Sequence, residues 1–254
     1  MFRASSFRLN MFQLCPRQYK FHYIDDLARI YRKSRSYLTM GDHIHAALKD
    51  FLSVVPVEER TMPRLENLLR EKWQRNREGF KDLFDEKRWG ERALRQVDWF
   101  AQNQDLSVTP FMVEDFHKAD LSSNIVLIGK IDRVDREADG GLHIIDYKTG
   151  RMPQEIDRIQ LYVYALVLSK ERSLPVAKAS YLYLDVGEAH ILQPTAADLD
   201  EAACWVVDMV ERILGEREYP AIPNTYCGTC DFLEICPQRE ETVRLTMDEE
   251  EPYF

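Results

Sequence analysis

Residues 124–150 read NIVLIGKIDRVDREADGGLHIIDYKTG. The run from Ile125 to Val134 is rich in branched apolar side chains, which favour a strand. Ala138-Asp139-Gly140-Gly141 follows, a turn whose glycines take positive φ at no steric cost. Leu142 to Lys148 reads as a second strand, closed by Gly150. Alternation sends residues i and i+2 to one face, so Asp146 and Lys148 project together and Tyr147 projects oppositely. Asp132 stands near the end of the partner strand. An apolar hairpin thus carries two carboxylates and a lysine on adjacent strands, a setting in which charges are rarely placed unless they are paired or hold a metal.

This arrangement suits metal-assisted hydrolysis of a phosphodiester. Two carboxylates can fix a hard divalent cation by oxygen ligation, leaving other positions for water and phosphate. The ion then helps to generate hydroxide and to stabilise the charge of the transition state. A lysine two residues beyond the second carboxylate can orient the attacking water or neutralise the phosphate. Asp-x-Lys alone is equally at home in a surface ion pair. The preceding Gly129-Lys130-Ile131-Asp132, on a paired strand at hairpin distance, shifts the balance toward chemistry.

Gly129-x-x-Asp132, then Asp146-Tyr147-Lys148, then Gln160-x-x-x-Tyr164 resembles the PD-(D/E)xK nucleases, specifically their RecB-type branch. The resemblance implies an α/β restriction-endonuclease-like core, a mixed central sheet flanked by helices, behind a helical N-terminal lobe. Gly41-Asp42-His43-Ile44-His45 resembles the family's Gly-x-x-x-His helix, which carries a metal-ligand role onto His45. The implied ligands are His45, Asp132 and Asp146, with the Tyr147 carbonyl as a further one. Lys148 would assist the nucleophile, and Gln160 and Tyr164 would position the substrate strand. The ion is Mg²⁺ or Mn²⁺; imidazole suits transition metals better, so Mn²⁺ should be well tolerated.

At 254 residues the chain can bury a sizeable core. Its 45% hydrophobic and 30% charged residues fit a soluble globular protein. No apolar run approaches a membrane span, and the arginine-punctuated start lacks a signal peptide's apolar region, so a cytoplasmic location is expected. A net charge of −9 excludes a generally basic nucleic-acid coat, yet the first 40 residues hold eight Lys/Arg against Asp25 and Asp26. One nuclease domain is expected over 1–254: a helical lobe at 1–105, the core at 106–215, a cysteine segment at 216–240 and an acidic tail at 241–254 containing Asp248–Glu251.

Along the chain, Ser5 or Ser6 should cap a helix through Leu14, ended by Cys15-Pro16. Tyr37 to Leu52 reads as a helix with Gly41, His45, Leu48 and Leu52 on one face and His43 turned to solvent. From Pro63 to Gln104 two or three helices are expected, broken at Gly79 and Gly90, with Arg70, Lys72, Arg75 and Arg77 available to a DNA channel. Pro110 to Leu121 is the first expected core strand. Glu114 within it is either a third acid near the metal or a structural, outward-facing one. Gln154 to Ser169 should be helical, with Gln160 and Tyr164 on one face and Arg158 toward the phosphates. Lys178 to Val186 and His190 to Leu192 are strand-like, and Thr195 caps a helix over Ala196 to Gly215 in which Cys204 reads as a core thiol.

Cys227-x-x-Cys230 and Cys236-Pro237 supply three thiolates, and Cys15, also followed by proline, is the obvious fourth. Spacing leaves zinc and an iron–sulfur group open. The family resemblance implies a [4Fe-4S] cluster on Cys15, Cys227, Cys230 and Cys236, clasping the two ends of the chain. No Walker A motif occurs, so the resemblance implies a nuclease domain acting on single-stranded DNA or DNA ends, in repair, recombination or CRISPR adaptation, alone or beside a separate helicase or integrase. A non-catalytic DNA-binding or assembly module of the same fold is the alternative.

Overall fold

The computed structural model describes residues 1–172 and 174–246; the acidic run Asp248–Glu251 lies outside the described residues. The chain opens with a short strand, β1 (Phe2–Ala4), followed by α1 (Ser6–Leu14), whose Ser5 cap accepts the Arg8 N–H at 3.2 Å. Cys15 holds an extended backbone between α1 and α2 (Pro16–Tyr23), where Pro16 takes a first-turn position that needs no N–H. After α3 (Ala28–Tyr31) come three longer helices, α4 (Ser36–Ser53), α5 (Met62–Arg75) and α6 (Leu83–Asn103). Their apolar stripes meet in one core of Ile44, Leu48, Phe51, Leu65, Leu69, Val97 and Phe100.

Gly79 separates α5 from α6 with φ +89°, and a Cβ there would lie 2.7 Å from the Arg35 nitrogen. Gly90 breaks nothing: α6 runs through it, and a Cβ there would meet the Trp73 ring at an ordinary 3.7 Å. His43 is a second correction, because it is 5% exposed, its Nε2 lies 2.8 Å from the Asn76 carbonyl, and its ring packs on Trp73.

Asp85, on the first turn of α6, ties the lobe together. Its carboxylate accepts from Ser36 Oγ at 2.7 Å, the Lys81 N–H at 3.1 Å and Trp89 Nε1 at 3.0 Å, and pairs with Arg88. Burial would raise its pKa, but these donors, Ser36 foremost, hold it below the ordinary 3.8. A depressed carboxyl pKa stabilises the fold above the unfolded value and loses that contribution as pH falls through the folded one. Asp85→Asn is therefore expected to cost about 1–3 kcal/mol at pH 7. The deficit should shrink in acid, below 3.8, where the unaltered carboxyl itself protonates. Denaturant melts at the two pH values check this.

The mixed sheet contains β1, β2 (Met112–Asp120), β3 (Ile125–Arg136), β4 (Leu142–Lys148), β5 (Val176–Tyr183) and β6 (Glu188–Leu192). Its order is β1-β3-β4-β5-β6, with β2 also on β3; β1–β3 and β4–β5 are parallel and the other pairs antiparallel. The crossover from β4 to β5 is α7 (Ile159–Arg172), and α8 (Ala196–Gly215) follows β6 behind a Thr195–Asp198 capping box. Residues 154–158 stay outside the helix expected there, and the Ile159 N–H bonds instead to Asp157 Oδ1 at 2.9 Å.

Period-two alternation sends Ile144, Ala179 and Tyr181 toward α7, and Ile145, Tyr147 and Leu182 toward the α4–α6 lobe. Helices thus flank the sheet on both faces. On α8, Val206, Met209 and Val210 face the core while Cys204 is exposed, so it is not the core thiol expected. Cys227 lies in the first of two short 3₁₀ turns, and Cys230 and Cys236 each follow one, before α9 (Arg239–Thr246). Among the described residues no helix is long and apolar enough to cross a membrane.

Candidate active site

The β2–β3 ladder pairs Val113 with Arg133 and Asp115 with Ile131, and the step between, Glu114 opposite Asp132, is missing. Glu114 has φ 55°, a left-handed conformation that costs a residue with a Cβ about 1–2 kcal/mol. Two carboxylates across a ladder repel as well. What holds them is His45, reaching in from α4. Its Nδ1 lies 3.2 Å from Asp132 Oδ1 and 3.6 Å from Glu114 Oε1, while Lys130 pairs with the other Glu114 oxygen.

Burial alone would lower the His45 pKa, but the Asp132 and Glu114 carboxylates push it up to about 10. Burial would likewise raise Glu114, yet His45 and Lys130 hold it down to about 2. One ligand atom from each of His45, Glu114 and Asp132 lies within 4.8 Å of the others. A nitrogen and two carboxylate oxygens, partly buried, form a donor set for a divalent cation.

On its other side β3 parts from β4. Pairing runs from Arg136–Leu142 to Arg133–Ile145, and one more step would set Asp132 against Asp146. Instead β4 continues on β5, with Asp146 beside Tyr181 and Lys148 beside Tyr183. Asp132 Oδ2 bridges the opening by accepting the Tyr147 N–H at 2.8 Å. The Tyr147 ring faces away, between Phe100 and His45, as alternation requires.

Asp146 is 5% exposed, and its Oδ2 lies 2.6 Å from Lys148 Nζ in an ion pair not aligned as a hydrogen bond. Burial raises its pKa; Lys148 opposes this and Asp132 adds to it. Lys148 Nζ also donates to Gln160 Oε1 at 2.9 Å and sits 4.6 Å from the Tyr181 ring centre. Gln160 Nε2 donates in turn to Tyr164 Oη at 2.9 Å. Tyr164 lies flat against Gly129, where a Cβ would come within 2.9 Å of its ring. Gly41 serves α4 similarly, since a Cβ would meet Thr149 Oγ1 at 3.0 Å. Both glycines allow close approach around the point where β3 and β4 divide.

The structure therefore brings His45 and Asp132 together, adds Glu114 to them, and sets Asp146, Lys148, Gln160 and Tyr164 in one chain of contacts alongside. Glu114 was ambiguous in sequence because nothing in an acidic strand residue signals a left-handed backbone. The basic residues expected to line a channel are mostly committed: Arg70 to Glu66, Lys72 to Asp50 and Arg77 to Glu86.

Cys15, Cys227, Cys230 and Cys236 line one cavity of about 90 Å³ together with Phe21 and Phe232. Phe232, 3% exposed, packs on Phe21 and Tyr31, so this segment docks on α2 and α3. Burial pushes the Cys230 thiol up to about 11, and Cys227 and Cys15 add to this. Among the described residues, no three thiols lie within 4.8 Å of one another.

A family model described as the PD-(D/E)XK nuclease superfamily matches residues 3–237. No curated protein matches the chain. Among solved structures, a candidate exonuclease from Eubacterium rectale aligns at a TM-score of 0.57 and 15% identity, covering 98% of this chain and 90% of its own. That likeness concerns the fold. A second structure, SSO0001, covers 61% of this chain and 79% of its own at 18% identity and a TM-score of 0.38, too low to carry an argument.

Proposed function

The chain belongs to the PD-(D/E)XK nuclease superfamily, and on that premise we propose that it is a metal-dependent nuclease that hydrolyses DNA phosphodiester bonds. The observation that carries this reading is the convergence of His45, Glu114 and Asp132 beside the Asp146–Lys148 pair. His45, Glu114 and Asp132 would hold Mg²⁺ or Mn²⁺, and the resemblance adds Asp146 and the Tyr147 carbonyl as further oxygen donors. The bound ion supplies a Lewis acid for the phosphoryl oxygen and a water of lowered pKa.

The chain's own residues do the rest. The Tyr147 N–H fixes Asp132 Oδ2, so that Oδ1 is aimed at His45. Lys148 is held by Asp146 on one side and Gln160 on the other, in reach of a phosphate or an attacking water. Tyr164 and Gly129 keep Gln160 in place. Lys148, partly exposed at 32%, remains open to a bound phosphate.

The finer reading is an exonuclease on single strands or ends, in DNA repair or CRISPR adaptation beside a separate helicase or integrase. It also includes a [4Fe-4S] cluster on Cys15, Cys227, Cys230 and Cys236. All four cysteines line one cavity, and that shared lining is what supports the reading. The test is cleavage of end-labelled single-stranded and duplex DNA by anaerobically purified protein with Mn²⁺, against EDTA. Mn²⁺-dependent release of short products from one end is expected. Binding without any cleavage would leave only a DNA-binding module of nuclease fold.

A further inference from the structure

A second cleft, of about 440 Å³, lies between the start of α4, α6, the turn after β4 and the cysteine segment. Its lining carries Arg35, Lys81, Arg88, Arg92 and Arg151 against the single acid Asp85. Asp85 is already met by Ser36, Lys81 N–H and Trp89. Three of the five are in ion pairs, Arg35 with Asp231, Arg88 with Asp85 and Arg92 with Asp185, so the excess positive charge of the cleft rests on Lys81 and Arg151. Four of the five are guanidinium groups, whose planar forks match phosphate oxygens. Arg92 is anchored by Asp185, and Arg35 bonds both the Thr229 carbonyl at 2.6 Å and Asp231 at 2.7 Å, so the far wall is pinned to the cysteine segment. Lys81 and Arg151 are exposed.

We propose that this cleft carries the phosphates of a single-stranded polynucleotide on its way to the catalytic junction. The inference rests on the nuclease reading and specifies its substrate. Two elements run from the cleft to the site. Arg151 stands three residues beyond Lys148, at most ~10 Å of extended chain. Tyr37, in the lining, precedes His45 by eight residues of α4, about 12 Å along the helix axis. At ~3.4 Å per stacked nucleotide this is a span of roughly three to four. The volume falls within the ~300–1,000 Å³ that hold a ligand-sized group.

The test is fluorescence anisotropy of labelled oligonucleotides in EDTA, so that nothing is cut, with single-stranded DNA, RNA of the same sequence and duplex DNA. Lys81→Ala with Arg151→Ala should weaken single-strand binding about 10-fold near 0.1 M salt. The slope of log affinity against log salt should fall by about 1.4, ~0.7 per phosphate contact. Lys87→Ala, an exposed lysine outside the cleft, serves as control and should change neither. In the unaltered protein, the single strand should protect Lys81 from chemical acetylation, a readout independent of how the variants fold. Equal binding of DNA and RNA single strands supports phosphate recognition. Unchanged affinity and slope, no protection of Lys81, or a preference for duplex overturns it. Cleavage by the unaltered chain with Mn²⁺ is scored separately. Cutting that ignores the cleft defeats the path alone, whereas cleft-dependent binding without cutting upholds the path and defeats the nuclease reading.

Discussion

Asp132→Asn is expected to abolish strand cleavage while leaving the fold intact. Asp132 is the residue on which both halves of the site depend. One oxygen faces His45 beside Glu114, and the other accepts the Tyr147 N–H where β3 and β4 part. An amide keeps an oxygen for that N–H but removes the charge that the cation needs. The rate should fall by at least roughly 10²–10³-fold, the loss typical of one preorganised electrostatic contact. Mn²⁺ affinity, read by calorimetry, should fall with it. The substitution weakens the His45 ion pair and also relieves the repulsion from Glu114 and Asp146, and because these two changes oppose each other the thermal transition should stay close to that of the unaltered chain. Normal cleavage by the folded variant would remove Asp132 from the site. Lys148→Ala should also stop cleavage, but it is the less clean substitution. It strands the Asp146 carboxylate, 5% exposed, and breaking a buried pair in this way costs about 3–5 kcal/mol of stability. Asp132→Asn isolates chemistry from folding.

Cys230→Ser is expected to produce the largest loss of stability. If the four thiols share one metal group, Cys15 and the final cysteines are tied across most of the chain's length. Cross-linking loops of ~100 residues or more contributes on the order of 4–5 kcal/mol. At about 2–4 °C per kcal/mol for a chain of this size, the melting temperature should drop by ~10 °C or more. The anaerobically purified protein should show broad visible absorption that the variant lacks, a signal that zinc's filled d shell cannot give. Matching spectra and melting curves for the two proteins would refute a shared group on these cysteines.

The hairpin was legible because apolar runs, a glycine turn and paired charges all point to the same two strands. The capped helix over Ala196–Gly215 was legible for a similar reason, since Thr195 and Asp198 mark its start and Gly215 its end. What escaped notice depends on long-range packing. β1 has three residues, too few to display alternation, and exists because β3 offers it a parallel edge. His43 looked like a surface residue on a helical wheel until α5 and its flank closed over it. Gly90 lies inside α6, whose packing against α4 and α5 outweighs the weak helix-breaking tendency of one glycine. Glu114 owes its place to one backbone angle and to a gap in a ladder, and neither leaves a trace in residue type.

The left-handed backbone at Glu114 sets heat resistance against turnover at a single position. A glycine there would adopt the same angle without strain, a gain of about 1–2 kcal/mol that offsets the loss of the His45 and Lys130 ion pairs. It would also lose the side chain that completes the donor set. A library sorted only for survival on heating would therefore accumulate inert members at this codon, and any effort to toughen the protein must screen for turnover in the same round.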